Sequence, residues 1–139
     1  MSKLETEWSD ISGKLGNMKA YIRRRNSLEK IKHSNYPYLT IITLVFDALD
    51  NNGIPSDSDE IDRAVESEKR IAEVLEKQND SYFVLSVTHN GVVDLFFFSA
   101  NNLETDAVEE LIYLAKPTIN FDFTVLEDPK WEAYFNTRQ

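Results

Sequence analysis

Residues 82–87 and 92–98 form two runs rich in β-branched and aromatic side chains, interrupted only by Ser86 and Asp94. Between them stands Asn90-Gly91, the strongest short-range hairpin signal, because both residues tolerate the positive φ of a type I′ turn. Val84 to Val87 and Leu95 to Phe98 are too apolar to face water on either side. The hairpin therefore belongs inside a sheet, with helices as its cover. Alternation along the second run sends Phe96 and Phe98 to one face and Leu95 and Phe97 to the other.

Before the hairpin, 39–46 (Leu-Thr-Ile-Ile-Thr-Leu-Val-Phe) reads as a buried strand. A loop broken by Asn52-Gly53 and Pro55 comes next. A helix starts at Asp57 or Ser58, with acids crowding its first turn where the helix dipole favours them. Ile61, Ala64, Val65, Ile71, Ala72 and Leu75 recur at three- and four-residue steps and predict one stripe facing the sheet; Asn79-Asp80 ends the helix. After the hairpin, Leu103, Ala107, Val108, Leu111, Ile112, Leu114 and Ala115 predict a second helix, stopped by Pro117. Residues 118–126 alternate, with Ile119, Phe121, Phe123 and Val125 on one side, as in a half-buried edge strand. Asp128-Pro129 predicts a last helical turn bearing Trp131, Tyr134 and Phe135, with Asp128 as N-cap and Pro129 at the first helical position.

The N-terminal part is weaker in pattern. Residues 7–11 suggest a short strand, Gly13 and Gly16 a turn, and 18–24 a strand with Met18, Ala20 and Ile22 on one side. Residues 26–35 read as a loop or short helical turn, and Tyr36-Pro37 forces an extended entry to the strand at 39–46. The order from Leu39 is strand, helix, strand, strand, helix, strand. It predicts an α+β fold, a ferredoxin-like βαββαβ sandwich whose antiparallel sheet is extended by N-terminal strands. At 139 residues one domain is expected: an extension over 1–36, a core over 37–127 and an aromatic helical turn over 128–139.

A family resemblance rests on Pro37 with the strand after it, Asn52-Gly53-Ile54-Pro55, Glu66 with Glu68, Val87-Thr88-x-x-Gly91, Phe96-Phe97-Phe98 and Asp128-Pro129-x-Trp131-x-x-Tyr134. In this order they resemble the uncharacterised bacterial domain-of-unknown-function family 695, from about Met18 onward. That family has no established activity, so the resemblance bears on the fold and leaves function to the residues.

Charge divides the chain. Residues 1–38 carry eight Lys/Arg against four Asp/Glu, whereas 39–139 carry seven against twenty, and the net charge is −9. Such a field repels nucleic acid and steers a basic partner inward, although an acidic, solubilising surface is the more ordinary account of it. With no cysteine, disulfides, thiolate catalysis and Cys-ligated zinc are excluded. No apolar run approaches a membrane span and the first sixteen residues are too polar for a signal peptide, so a cytoplasmic protein is expected.

Little in the sequence carries catalytic chemistry. Asp50 to Gly53 resembles a calcium loop, but aligning Gly53 to its glycine leaves Ala48 at the first ligand position and Asp59 in place of the bidentate Glu; a turn is the simpler reading. His33 and His89 have no assignable partner carboxylate, and His89, beside the hairpin turn, is expected to be exposed. No catalytic, cofactor or metal site is expected. Arg23-Arg24-Arg25 places Arg23 and Arg25 on one strand face and reads as a solvated, charge-protected edge. The dense acids Asp47, Asp50, Asp57, Asp59, Glu60 and Asp62 either solvate a helix start or face a basic protein. Trp131 and Tyr134, with Phe135, either anchor a partner or pack back on the core.

The chain thus reads as a non-enzymatic acidic protein-binding module, an inhibitor or immunity-type regulator of a basic partner such as a nuclease or toxin, with no nucleic-acid or membrane partner. Alternatives are a small-ligand binder or carboxylate-based enzyme, which needs a concave pocket with inward-facing titratable groups, and a structural domain that assembles through the edge strand 119–125.

Overall fold

The computed structural model describes residues 8–15, 18–28 and 30–137. In chain order the elements are β1 (Trp8–Leu15), β2 (Met18–Arg25), a 3-10 turn (His33–Asn35), β3 (Tyr38–Val45) and α1 (Ser58–Gln78). After these come β4 (Ser81–His89), β5 (Val92–Ser99), α2 (Thr105–Leu114), β6 (Asn120–Glu127) and α3 (Glu132–Phe135). All six strands join one antiparallel sheet in the order β1-β2-β4-β5-β3-β6. The fold is α+β. The hairpin turns as its dipeptide requires, with φ of 45° at Asn90 and 81° at Gly91.

Strand alternation divides the sheet into two apolar faces. On one, Ile42, Leu44, Leu95 and Phe97 meet Ala64, Ile71, Ala72 and Leu75 of α1 and Val108 and Ile112 of α2. Phe97 is fully buried and stacks on Phe83 with ring centroids 4.7 Å apart. On the other face, Leu39, Val84, Leu85 and Phe98 lie under Leu28, Trp131 and Tyr134. The two long helices therefore cover only one side of the hairpin; the β2–β3 connection and the segment after β6 cover part of the other. A register shift between Phe83 and Leu85 lets Phe83 face the helices while Val84 and Leu85 both face away, which breaks the expected alternation in β4.

The second core is tied by polar contacts as well. Trp131 stacks on Phe98 at 4.3 Å and its indole N–H donates to the Tyr36 carbonyl at 2.9 Å. The Tyr134 hydroxyl donates to the Arg25 carbonyl at 2.6 Å, and the Arg24 guanidinium lies 3.9 Å above the Tyr134 ring. Burial first, then the neighbouring charges of Tyr82 and Asp80, raises the Tyr36 phenol above its ordinary pKa, so it remains neutral.

Several expectations change. β1 runs through Gly13 to Leu15, so no turn forms at Gly13, and Gly16 lies outside the described residues. Val65 and Leu114 are 61% and 62% exposed. Val65 sits about 100° round α1 from Ala64, off the buried stripe. Asp128 is not the N-cap and Pro129 is not the first helical residue: the helix begins at Glu132, after a left-handed Trp131 with φ 56° in the N-cap position, although the Asp128 carboxylate accepts from the N–H groups of Glu132 and Ala133.

β2 is not an edge strand, because β1 covers it. Arg24 and Arg25 are 7% and 0% exposed, so two of the three arginines are packed inside, while the Arg23 side chain stays 45% exposed. Arg23 and Arg25 share the helix face as expected. They bind Glu68 (2.9 Å) and Glu76 (3.2 Å) of α1, and Arg25 also donates to the Phe83 carbonyl. A buried pair such as Arg25–Glu76 is unforgiving, since losing one partner leaves an uncompensated charge.

Truncating Phe97 to Ala is expected to cost about 3–5 kcal/mol, the range for a buried aromatic residue, and Phe96→Ala less, because Phe96 is half-buried. Urea unfolding of both variants checks this. A Phe97→Ala loss no larger than that of Phe96→Ala would contradict the assignment of faces.

Candidate functional site

The chain leaves β3 through Phe46 and returns to start α1 by way of a loop, 47–57, that carboxylates hold in shape. Asp50 accepts N–H bonds from Asn52 (2.8 Å) and Ile54 (3.0 Å) through one oxygen, while its own N–H donates to the Ile54 carbonyl. Glu60, only 5% exposed, reaches back to accept from the N–H groups of Asp47 and Ala48 at 2.9 and 3.1 Å. Asp57 caps α1 by accepting from the Asp59 N–H. The loop is also pinned to the β4–β5 hairpin, where the Gly91 N–H donates to the Gly53 carbonyl and the Phe46 N–H to the Gly91 carbonyl. A Cβ on Gly91 would stand 3.0 Å from Leu49 Cδ1, at a φ that L side chains rarely adopt.

The six acids therefore fall into two groups. Asp50, Asp57 and Glu60 build the loop and the helix start. Asp47, Asp59 and Asp62 are displayed to solvent, and Asp50 and Asp57 are exposed as well, so Glu60 alone of the six is buried; Asp59 has Arg63 of the next helical turn at 3.5 Å. Glu60 is withdrawn from any docking surface by its burial. So are Trp131 and Tyr134, both 0% exposed in the second core.

Beneath the loop lies a pocket of about 250 Å³. Leu44, Phe46 and Val93 form its sheet side, Ile61 and Ala64 its helix side, and Ile54 and Pro55 its loop wall. Arg23, Glu68, Ser86 and Thr88 line it with polar groups. The sequence hides this concavity, since its walls come from β2, β3, the loop, α1, β4 and β5, and Arg23 meets Glu68 there only once β2 lies beside β4.

On the opposite sheet face, His89 is not free as expected. Its Nε2 lies 2.8 Å from Asp94 Oδ2, and the Thr43 hydroxyl donates to Asp94 Oδ1 at 2.6 Å. A carboxylate-oriented imidazole is a general-base arrangement. Here, however, the hydroxyl binds the far side of the carboxylate, so the imidazole does not activate it. Val87↔Asp94 pairing across the hairpin places Asp94 two residues from His89's own partner, Val92, a diagonal that only the register reveals. His33 donates to the Leu28 carbonyl and packs on Trp131 and Phe135, a structural role.

A family model described as a family of unknown function (DUF695) matches residues 6–137, a span that takes in every strand and helix. The chain belongs to the DUF695 family. No curated protein and no solved structure shows significant similarity to it. Of the residues on which the resemblance to DUF695 rests, Ile54, Pro55, Glu68 and Thr88 line the pocket and Gly91 pins the loop. Among the described residues no helix of this DUF695 chain is long and apolar enough to cross a membrane, and no three His, Asp or Glu side chains group as metal ligands would.

Replacing Glu60 with Ala should destabilise the fold by about 2–4 kcal/mol, because two N–H groups lose a charged acceptor. Hydrogen exchange at Asp47 and Ala48 should accelerate well beyond the global change. Unchanged protection of those two amides would refute the clamp.

Proposed function

We propose that this DUF695 domain is a non-enzymatic protein-binding module that docks on a basic partner, in the manner of an inhibitor or immunity-type regulator of a nuclease or toxin. The observation that carries this reading is the division of labour among the loop acids. Buried Glu60 and exposed Asp50 tie the loop's N–H groups down, so Asp47, Asp57, Asp59 and Asp62 are presented from a pre-organised frame. Rigid display lowers the ordering cost of association, and charge complementarity speeds encounter. The excess of acids over 39–139 extends the same field, which favours a basic protein over nucleic acid or a membrane. A cytoplasmic setting, suited to a cysteine-free chain, belongs to the same proposal.

The core over 37–127 is read as ferredoxin-like. Support comes from strands met as strand, helix, hairpin, helix, strand that lie side by side in the order β4-β5-β3-β6.

Affinity capture from the native cell, with the wild-type chain and with Asp47, Asp57, Asp59 and Asp62 all changed to Asn, tests the reading. Asn preserves the helix cap at Asp57, so stability should hardly move. The wild type is expected to retain a basic protein that is released at roughly 1 M salt, where the Debye length is about 3 Å. The neutralised chain is expected not to retain it. Equal retention by both chains would overturn acidic docking.

A further inference from the structure

The pocket beneath the loop has an apolar body and a polar end with a definite imbalance. At about 250 Å³ it lies just under the roughly 300–1,000 Å³ of small-molecule sites, so its occupant must be compact. At the polar end each oxygen of Glu68 already accepts one hydrogen bond. Glu68 Oε2 accepts from Arg23 Nη1 at 2.9 Å, and Glu68 Oε1 accepts from the Ser86 hydroxyl at 3.2 Å. The donors are not exhausted. A guanidinium carries five N–H groups, of which Glu68 takes one, and the Thr88 hydroxyl lines the same cavity. Arg23 stands at the mouth of the pocket with its side chain 45% exposed, its guanidinium carbon 5.0 Å from the Trp8 ring centre on a strand whose neighbour is β4.

A guanidinium fork at the mouth of an apolar cavity is complementary to a planar, acceptor-rich head on an apolar body. A cationic head would have to share the oxygens of Glu68 with Arg23 and Ser86 and would face the Arg23 guanidinium. We propose that the pocket binds a compact monocarboxylic acid with a branched or aromatic body. The body lies against Leu44, Phe46 and Val93 under Ile54 and Pro55. The carboxylate sits on Arg23, with the Thr88 hydroxyl as a further donor. This site stands apart from the acidic docking surface, because none of its lining residues is Asp47, Asp57, Asp59 or Asp62.

Phenylacetate, phenylacetamide and phenethylamine share a ring and differ at the head, so they separate the chemistries. Each is titrated into the full-length chain labelled with nitrogen-15, and amide shifts are monitored. Phenylacetate is expected to give saturable shifts centred on Ile54, Ala64, Thr88 and Val93, with a dissociation constant of about 1 mM or tighter. The amide and the amine should bind roughly tenfold more weakly, the loss expected for a missing charge-assisted hydrogen bond. Arg23→Gln should weaken phenylacetate about tenfold as well. Glu68→Gln, which releases Arg23 from its partner, should tighten it severalfold. An ion pair with a purely structural role would not make these two changes act in opposite directions. Thr88→Val, which removes only a hydroxyl, is expected to weaken binding a few-fold and serves if either charge variant perturbs the fold. Absence of saturable shifts, equal binding of phenylacetamide, or phenylacetate affinity unchanged in both Arg23→Gln and Thr88→Val would overturn the proposal.

Discussion

The β4–β5 hairpin is apolar on both faces, and the rest of the structure answers that requirement. A strand pair of this kind is stable in water only when covered twice. The helices α1 and α2 close over Phe97, Leu95 and Phe83, and the other face receives the connection around Leu28 and the segment bearing Trp131 and Tyr134. Meeting the second demand brings distant parts of the chain together. The C-terminal segment bonds to Tyr36 and Arg25, and Trp131 holds a left-handed backbone that costs about 1–2 kcal/mol for an L residue, sustained by its stack on Phe98 and its indole hydrogen bond. The aromatic end of the chain is therefore a cover, and the acidic loop lies at the opposite end of β3.

Charge is distributed on the same principle of internal and external use. Arg25 reaches across to Glu76 of α1 and Arg24 lies over Tyr134 on the other face, so two of the three arginines serve packing between layers, while Arg23 meets Glu68 at the surface. The acids before and inside the first turns of α1 are divided between holding the loop and facing water. Stiffness of the loop and the shape of the pocket then share one cause, since the backbone bond from Gly91 to Gly53 that fixes the loop also closes the pocket wall at Ile54 and Pro55.

Much of the fold is legible in the sequence because it depends on short periods. Alternation over 92–98 assigns Phe96 and Phe97 to their faces, and the spacing of Phe121, Phe123 and Val125 marks a half-buried edge strand. Features that depend on register or on irregular backbone escape it. The bulge at Phe83/Leu85 places two consecutive residues on one side, and a left-handed Trp131 delays the last helix to Glu132. The spacing of Trp131 and Tyr134 is the same in a surface anchor and in a core, so burial alone separates the two. Glu60 looks like its acidic neighbours in sequence, yet its position one turn into α1 turns it back toward the N–H groups of Asp47 and Ala48. The pocket and the His89–Asp94 contact require knowing which strands are neighbours.

The two-sided cover is tested most directly by equilibrium urea unfolding of the chain ended after Glu127, combined with amide protection in β4 and β5. With Trp131 and Tyr134 absent, Phe98, Val84 and Leu85 lose their cover, and the single cooperative transition should be lost together with protection across the hairpin. A shortened chain that unfolds cooperatively at the midpoint of the full-length protein would contradict the dependence of the hairpin on its second cover.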